Sequence, residues 1–159
     1  MLVPVEIASF AVDPQRGQPL VILRELGGGR SIAVPVDHAE AGAIAMYTLQ
    51  VPVDKPLAID LVKIMLEQLG GSLYRAVIGD VEENAFSASI IIRSQSSLKV
   101  VDCRPSDAIT LAMKCGAPLF VSDAVFAKLS SESGLSVEEQ LRAHVRSVDT
   151  AEFGKYVLG

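Results

Sequence analysis

Val100-Val101-Asp102-Cys103-Arg104-Pro105-Ser106-Asp107-Ala108 runs on through Ile109-Thr110-Leu111-Ala112-Met113-Lys114-Cys115-Gly116 into Pro118-Leu119-Phe120-Val121. An apolar strand, Leu98 to Cys103, meets a charged corner; a helix follows, Gly116 stops it, and a second apolar strand leaves. Ala108, Leu111, Ala112 and Cys115 fall at i, i+3, i+4 and i+7, the spacing of one helix face, with Asp107, Thr110 and Lys114 opposite. Pro105 and Ser106 suit a helix start, Asp107 suits the positive end of the helix dipole, and Gly116 suits a left-handed stop. The unit predicted is strand, turn, helix, strand.

Working outward, Val3 to Val12 reads as a strand ended by Asp13-Pro14, and Pro19 to Arg24 as a second strand buried on both sides. Glu25-Leu26-Gly27-Gly28-Gly29 reads as a hairpin turn into Arg30 to Val36. No Gly-Lys-Ser/Thr follows the glycines, as a phosphate loop needs. Asp37 and Glu40 have capping-box spacing for a helix over 38–49. A second helix, 57–69, has Leu57, Leu61, Ile64, Met65, Val62, Leu66 and Leu69 as its expected core face, with Asp60, Lys63 and Glu67 on the other. Ser72 to Asp80 and Ala85 to Arg93 form a hairpin, with Arg93 on its wet face. Helices follow at 106–115 and 123–129. A helix from Ser136 carries Val137, Leu141, Val145 and Val148 on one side, and Thr150 to Gly159 adds a last turn. The prediction is an α+β single domain: a mixed curved β-sheet of about seven strands with flanking helices and a C-terminal helical tail. The domain is expected over 1–129. Residues 130–159 are expected as a helical extension packed on that domain or on a partner subunit.

Half of the 159 residues are hydrophobic, which excludes general disorder and suffices for a core without disulfides. No apolar run approaches the roughly 18 residues of a membrane helix, so no membrane partner is expected. The first residues lack a basic signal region, and a cytoplasmic location is the expectation. Cys103 and Cys115 match neither zinc nor dithiol spacing and are expected as two buried thiols. His38 and His144 are the two histidines, too few for a histidine metal cluster. A net charge of −5 argues against bulk attraction to nucleic acid, so any such contact is local. The hydrophobic composition and the striped tail predict a homo-oligomer, a dimer before others.

At the corner, Asp102 and Asp107 flank Arg104. Converging carboxylates are what a magnesium or manganese phosphodiesterase requires, and a guanidinium grips a phosphate through paired donors. Glu40 completes that set if the first helix brings its N-terminus close. The same residues support a purely structural reading, in which Arg104 bridges Asp102 and Asp107 while Ser106 caps the helix. Residues alone leave both open.

The block Asp102-x-Arg104-Pro105-Ser106-Asp107-Ala108 with Gly116-Ala117-Pro118-Leu119-Phe120-Val121 resembles the signature of the bifunctional nuclease domain family. The likeness extends to Pro19-Leu20-Val21-Ile22-Leu23, Glu40, Lys55-Pro56-Leu57 with Asp60, and Phe86-x-Ala88 before Arg93, covering roughly residues 3 to 127. It implies a metal-dependent nuclease hydrolysing phosphodiester bonds in DNA and RNA with low sequence specificity. The implied catalytic residues are Asp107, Arg104, Asp102 and Glu40, and Asp102, Asp107 and Glu40 are the implied ligands of Mg or Mn. The chain departs from the family at Ala58-Ile59, where relatives commonly read Thr-His. Val34-Pro35-Val36-Asp37-His38 likewise stands where Pro-Ile-Trp-Ile-Gly is usual. The alternative is a non-enzymatic ligand-binding or regulatory module on the same fold.

Overall fold

A computed structural model of the chain describes residues 1–133, 139, 142 and 145–158. Its elements are β1 (Leu2–Asp13), β2 (Gln18–Glu25), β3 (Ser31–Pro35), α1 (His38–Thr48), α2 (Ala58–Gln68), β4 (Gly71–Glu82), β5 (Ala85–Ser94), β6 (Ser97–Cys103), α3 (Pro105–Cys115), β7 (Leu119–Ser122), α4 (Asp123–Ser133), β8 (Arg146–Val148) and α5 (Thr150–Leu158). The strands follow the order β3-β2-β1-β7-β4-β5-β6, with β8 on β1. β4 and β7 are parallel whereas β4–β5 and β5–β6 are antiparallel, so the sheet is mixed and the α+β class holds. The chain divides into two compact units. One comprises Met1–Pro4 with Pro52–Val125; the other comprises Val5–Val51 with Phe126–Gly159.

In the first unit, β4 and β5 close over a two-residue turn, Glu83-Asn84, with φ of 48° and 65°. Asn tolerates the left-handed region better than most residues, which suits this tight connection. Cross-strand partners share a sheet face, so Ala76, Ile78, Ala88, Ile90, Leu119 and Val121 line one side, all buried. α3 follows β6, and its Ala108, Ile109, Leu111 and Ala112 are buried as the periodicity requires. Pro105 occupies the first turn, and Gly116 stops the helix at φ 61°.

Three expectations for these helices need correction. Ser106 makes no cap; it is buried, and its carbonyl accepts the Thr110 hydroxyl at 2.7 Å. Thr110 and Lys114 do not lie on a wet face, since Thr110 is 5% exposed and the Lys114 side chain 10%. The cause is α2, whose Asp60 carboxylate meets the Lys114 ammonium at 2.7 Å while also accepting the Leu57 backbone N–H. α2 therefore turns its charged edge inward and has no buried residue at all. Leu61, Val62, Ile64, Met65 and Leu69, the expected core face, are exposed. Lys63 still reaches Glu67 at 3.9 Å.

In the second unit, Val21 and Leu23 of β2 are fully buried, and Leu20 and Ile22 nearly so. The Gly27-Gly28-Gly29 turn has φ of 87°, 89° and 128°, values suited to glycine. Glu25 clamps it by accepting the Arg30 guanidinium at 2.7 Å and the Arg30 backbone N–H at 2.9 Å, and these bonds, the guanidinium's first, hold the Glu25 carboxyl below its ordinary range. The Arg30 guanidinium also lies 4.3 Å from the centroid of the Phe126 ring. Gly154 of α5 approaches α1 so closely that an added Cβ would fall 2.5 Å from Ala45 Cβ. Phe153 stacks on Phe10 at 4.4 Å. The helix expected from Ser136 falls largely outside the described residues. Its expected last position, Val148, lies instead in β8 opposite Phe10, where β1 provides an antiparallel partner for residues 146–148.

Two outcomes follow from these packings. Gly154→Ala should destabilise the protein by roughly 1–3 kcal/mol in urea unfolding, because the methyl has no room; adding Ala45→Gly should recover part of the loss. Asp60 is the second test: the Lys114 hydrogen bond is the largest cause holding its carboxyl below the ordinary 3.8. A depressed carboxylate stabilises above its unfolded pKa and stops doing so as pH falls through the folded value. Asp60→Asn should therefore cost roughly 1–3 kcal/mol at neutral pH. That deficit should shrink toward zero when melting is measured well below pH 3.8.

Candidate functional site

The corner between β6 and α3 is a local ion pair. Arg104 Nε donates to Asp107 Oδ2 at 2.9 Å and Nη2 donates to Oδ1 at 3.0 Å, so both carboxylate oxygens of Asp107 are engaged. The fork geometry of guanidinium and carboxylate favours this paired contact. Solvent reaches it, with side-chain exposures of 65% for Arg104 and 33% for Asp107. Asp102 sits on β6 opposite Ser89 and is exposed.

Cys103 lies between the two aspartates in sequence and is half-buried. Burial pushes its thiol up, and the charges of Asp107 and Asp102 push it further, so both carboxylates act on this sulfur. Cys115 is raised as well, chiefly by burial. Neither cysteine is poised as a thiolate nucleophile, since reactive thiols have lowered values. The sequence expectation of two buried thiols is corrected to two partly buried ones, because each sits at the end of its element.

Glu40 belongs to the second unit and completes the capping box at α1. Its Oε2 accepts the Asp37 N–H at 3.0 Å, and its own N–H donates to Asp37 Oδ1 at 2.7 Å. Of the implied ligands, Asp107 in the first unit is paired through both oxygens with Arg104, and in the second unit Glu40 Oε2 is engaged in its cap. Among the described residues no group of three or more His, Cys, Asp or Glu could hold a metal ion.

A different constellation lies on the sheet face of the first unit opposite Ala88 and Ile90. Arg75 pairs in register with Ile91, Val77 with Ser89 and with Phe120, Ser89 with Asp102, and Arg93 with Leu98, so these side chains share one face. The register of β4 against β5 shifts between Leu73 and Arg75, leaving Tyr74 as the extra residue of a bulge. The Arg93 guanidinium lies 4.4 Å from the Tyr74 ring centroid. Arg75 lies 5.7 Å from the same ring and 5.8 Å from that of Phe120. Arg75 Nε is buried without a hydrogen-bond partner among the described residues, an expensive state for a cation.

Two guanidinia layered with aromatic rings are suited to phosphates and to stacked bases. The cleft at the β4–β5 turn is not, because Asp80, Glu82 and Glu83 line it with carboxylates. Alternation in the sequence marks Arg93 as wet. It carries no sign of Tyr74, Arg75 and Phe120, since only strand pairing and the bulge bring Tyr74 to Arg93 and Phe120 to Arg75.

The sequence model of the bifunctional nuclease domain matches residues 21–133. Two Mycobacterium tuberculosis proteins, from strains CDC 1551 / Oshkosh and ATCC 25618 / H37Rv and both named as uncharacterized, are similar over almost their whole length. Each is 30% identical over 153 residues, covering 96% of this chain and 92% of the relative. The match spans α3, its charged corner and every strand of the Arg75–Arg93 face, and on that ground the chain belongs to the bifunctional nuclease domain family.

Proposed function

We propose that this chain binds nucleic acid on the Tyr74, Arg75, Arg93 and Phe120 face and hydrolyses phosphodiester bonds in DNA and RNA there with little sequence preference. Membership of the family supports a nuclease kind of function. The observation that carries the binding step is the Arg93 guanidinium layered on Tyr74 with Arg75 beside it. Arg75 and Arg93 supply paired donors for phosphate oxygens, while Tyr74 and Phe120 offer π-faces to unstacked bases. Such a surface reads no base edges, which suits low specificity. It also reconciles phosphate binding with a net charge of −5, because the positive charge is local. Asp102 lies on the same sheet face, at the β6 end that leads into Arg104 and Asp107.

Mg or Mn is part of the family reading, with Asp102, Asp107 and Glu40 as the ligands the resemblance implies. Asp107 would have to leave Arg104 to serve as a ligand. That pairing favours a second reading, a module that binds nucleic acid without cleaving it, as does Ala58-Ile59 in place of Thr-His.

Binding and cleavage separate these readings. Arg75→Ala and Arg93→Ala should each weaken binding of single-stranded DNA and RNA and lower the salt dependence by about one released counterion. Unchanged affinity in both would remove this face from the function. Asp107→Asn should change stability by less than about 1 kcal/mol, because the pair is solvated. In assays with Mg or Mn, the nuclease reading expects degradation by the wild type and its loss in Asp107→Asn. Binding without degradation in either metal would select the non-enzymatic module.

A further inference from the structure

Carboxylates mark one end of the arginine–aromatic face, and an uncharged turn marks the other. Along β5 the side chains on that face are Arg93, Ile91, Ser89 and Ser87, each two residues from the next and so roughly 7 Å apart. Arg75 pairs with Ile91, one step in from Arg93. At the next step Ser89 pairs with Asp102, which is exposed, and at the step after that Ser87 pairs with Asp80. Glu82 and Glu83 follow at the β4–β5 turn. Beyond Arg93, the Ser94–Ser97 turn carries no charge. Lys99 of β6 pairs with Ile92 and so projects to the other face. Charge along the line therefore runs plus, plus, minus, minus.

The rings occur on the same scale. Tyr74 is shared by the two guanidinia, 4.4 Å from Arg93 and 5.7 Å from Arg75, and Phe120 lies 5.8 Å from Arg75. Phe120 is opposite Val77, in the row of Ser89 and Asp102.

We infer that this face takes three nucleotides of a single strand, with their two phosphodiesters against Arg93 and Arg75 and bases stacked on Tyr74 and Phe120. The inference rests on the nucleic-acid reading above and adds to it a length and a strandedness. Adjacent phosphates of an unstacked strand are separated by about one two-residue step of a β-strand, roughly 7 Å. A strand running along β5 thus sets consecutive phosphates at the Arg93 and Arg75 rows. The next phosphate falls in the Asp102 row and the one after it at Asp80, where each is repelled. Two phosphates join three nucleosides.

A duplex gains little on such a surface. Its non-specific affinity comes from neutralising many phosphates, and here two cations are followed at once by carboxylates. Its paired bases stay stacked on one another, so Tyr74 and Phe120 have nothing to stack on. Ring contact then carries much of the affinity, in keeping with a net charge of −5.

The experiment measures binding to the full chain in EDTA, which keeps metal-dependent cleavage out of the measurement, with oligothymidylates of two, three, four, six and twelve nucleotides. Affinity should rise at least ~10-fold from two nucleotides to three, and beyond that only by the number of three-nucleotide registers a longer strand offers. The salt slope should level off at three nucleotides, at about −1.4 for two neutralised phosphates of a single strand. A twelve-base-pair duplex should bind at least ~10-fold more weakly than the twelve-nucleotide strand. Tyr74→Leu keeps an apolar side chain at the bulge but loses the π-face, and should weaken the trinucleotide ~10-fold with the slope unchanged. Asp102→Asn should tighten the six-nucleotide strand about threefold and leave the trinucleotide unchanged, since only the longer strand lays a phosphate on that row. Affinity and slope that keep growing from three to twelve nucleotides, or a duplex held as well as the strand, would overturn the three-nucleotide limit and leave the nucleic-acid face standing. Failure of every strand to bind would overturn both.

Discussion

The parallel pairing of β7 with β4 is the constraint on which the first unit depends. β6 and β7 are consecutive in the chain, yet β5 and β4 lie between them in the sheet, so the chain must cross over two strands before pairing. A parallel neighbour cannot be reached by a tight turn, and α3 is the crossover. Its buried face is continuous from Ser106 to Ala112 because it spans the sheet beneath it. The charged corner thus has a structural origin. Where β6 ends and α3 must start at once, Pro105 sets the first turn and the Arg104–Asp107 fork holds the bend.

The same crossover explains why α2 is turned over. Once α3 lies on the sheet, α2 meets its Lys114 side, and a nearly buried ammonium demands a carboxylate. Asp60 supplies it and caps α2 in the same position. The apolar stripe of α2 is then left outward, the reverse of what amphipathicity alone dictates. Electrostatic satisfaction outweighs burial here because an unpaired buried charge costs more than an exposed leucine.

Functionally, the family membership and the geometry point to the two ends of one strand system. The corner holds the residues that carry the family resemblance, and they are paired with each other. The sheet face that also carries Asp102 holds cations layered on aromatic rings, one with a buried nitrogen lacking a hydrogen-bond partner among the described residues. The proposed nucleic-acid contact rests on this second set, whose cations lie against rings instead of carboxylates.

By itself the sequence determined the element order through α4, a helix over 106–115 with its glycine stop, the capping box at Asp37 and Glu40, and the mixed α+β class. These are local: periodicity, caps and turn chemistry act within a few residues, where the chain's own spacing is sufficient. It also exposed the Asp102, Arg104 and Asp107 cluster. Tertiary structure decided which of those partners meet. It paired Arg104 with Asp107, kept Glu40 in its cap, joined Asp60 to Lys114 across 54 positions, and gathered Tyr74, Arg75, Arg93 and Phe120 from three strands. It also drew Val148 from an expected helix into β8. Each of these is a contact between distant segments, set by strand register, a bulge and helix packing. Such pairings have no period in the chain, because their energy arises only once the partners are side by side.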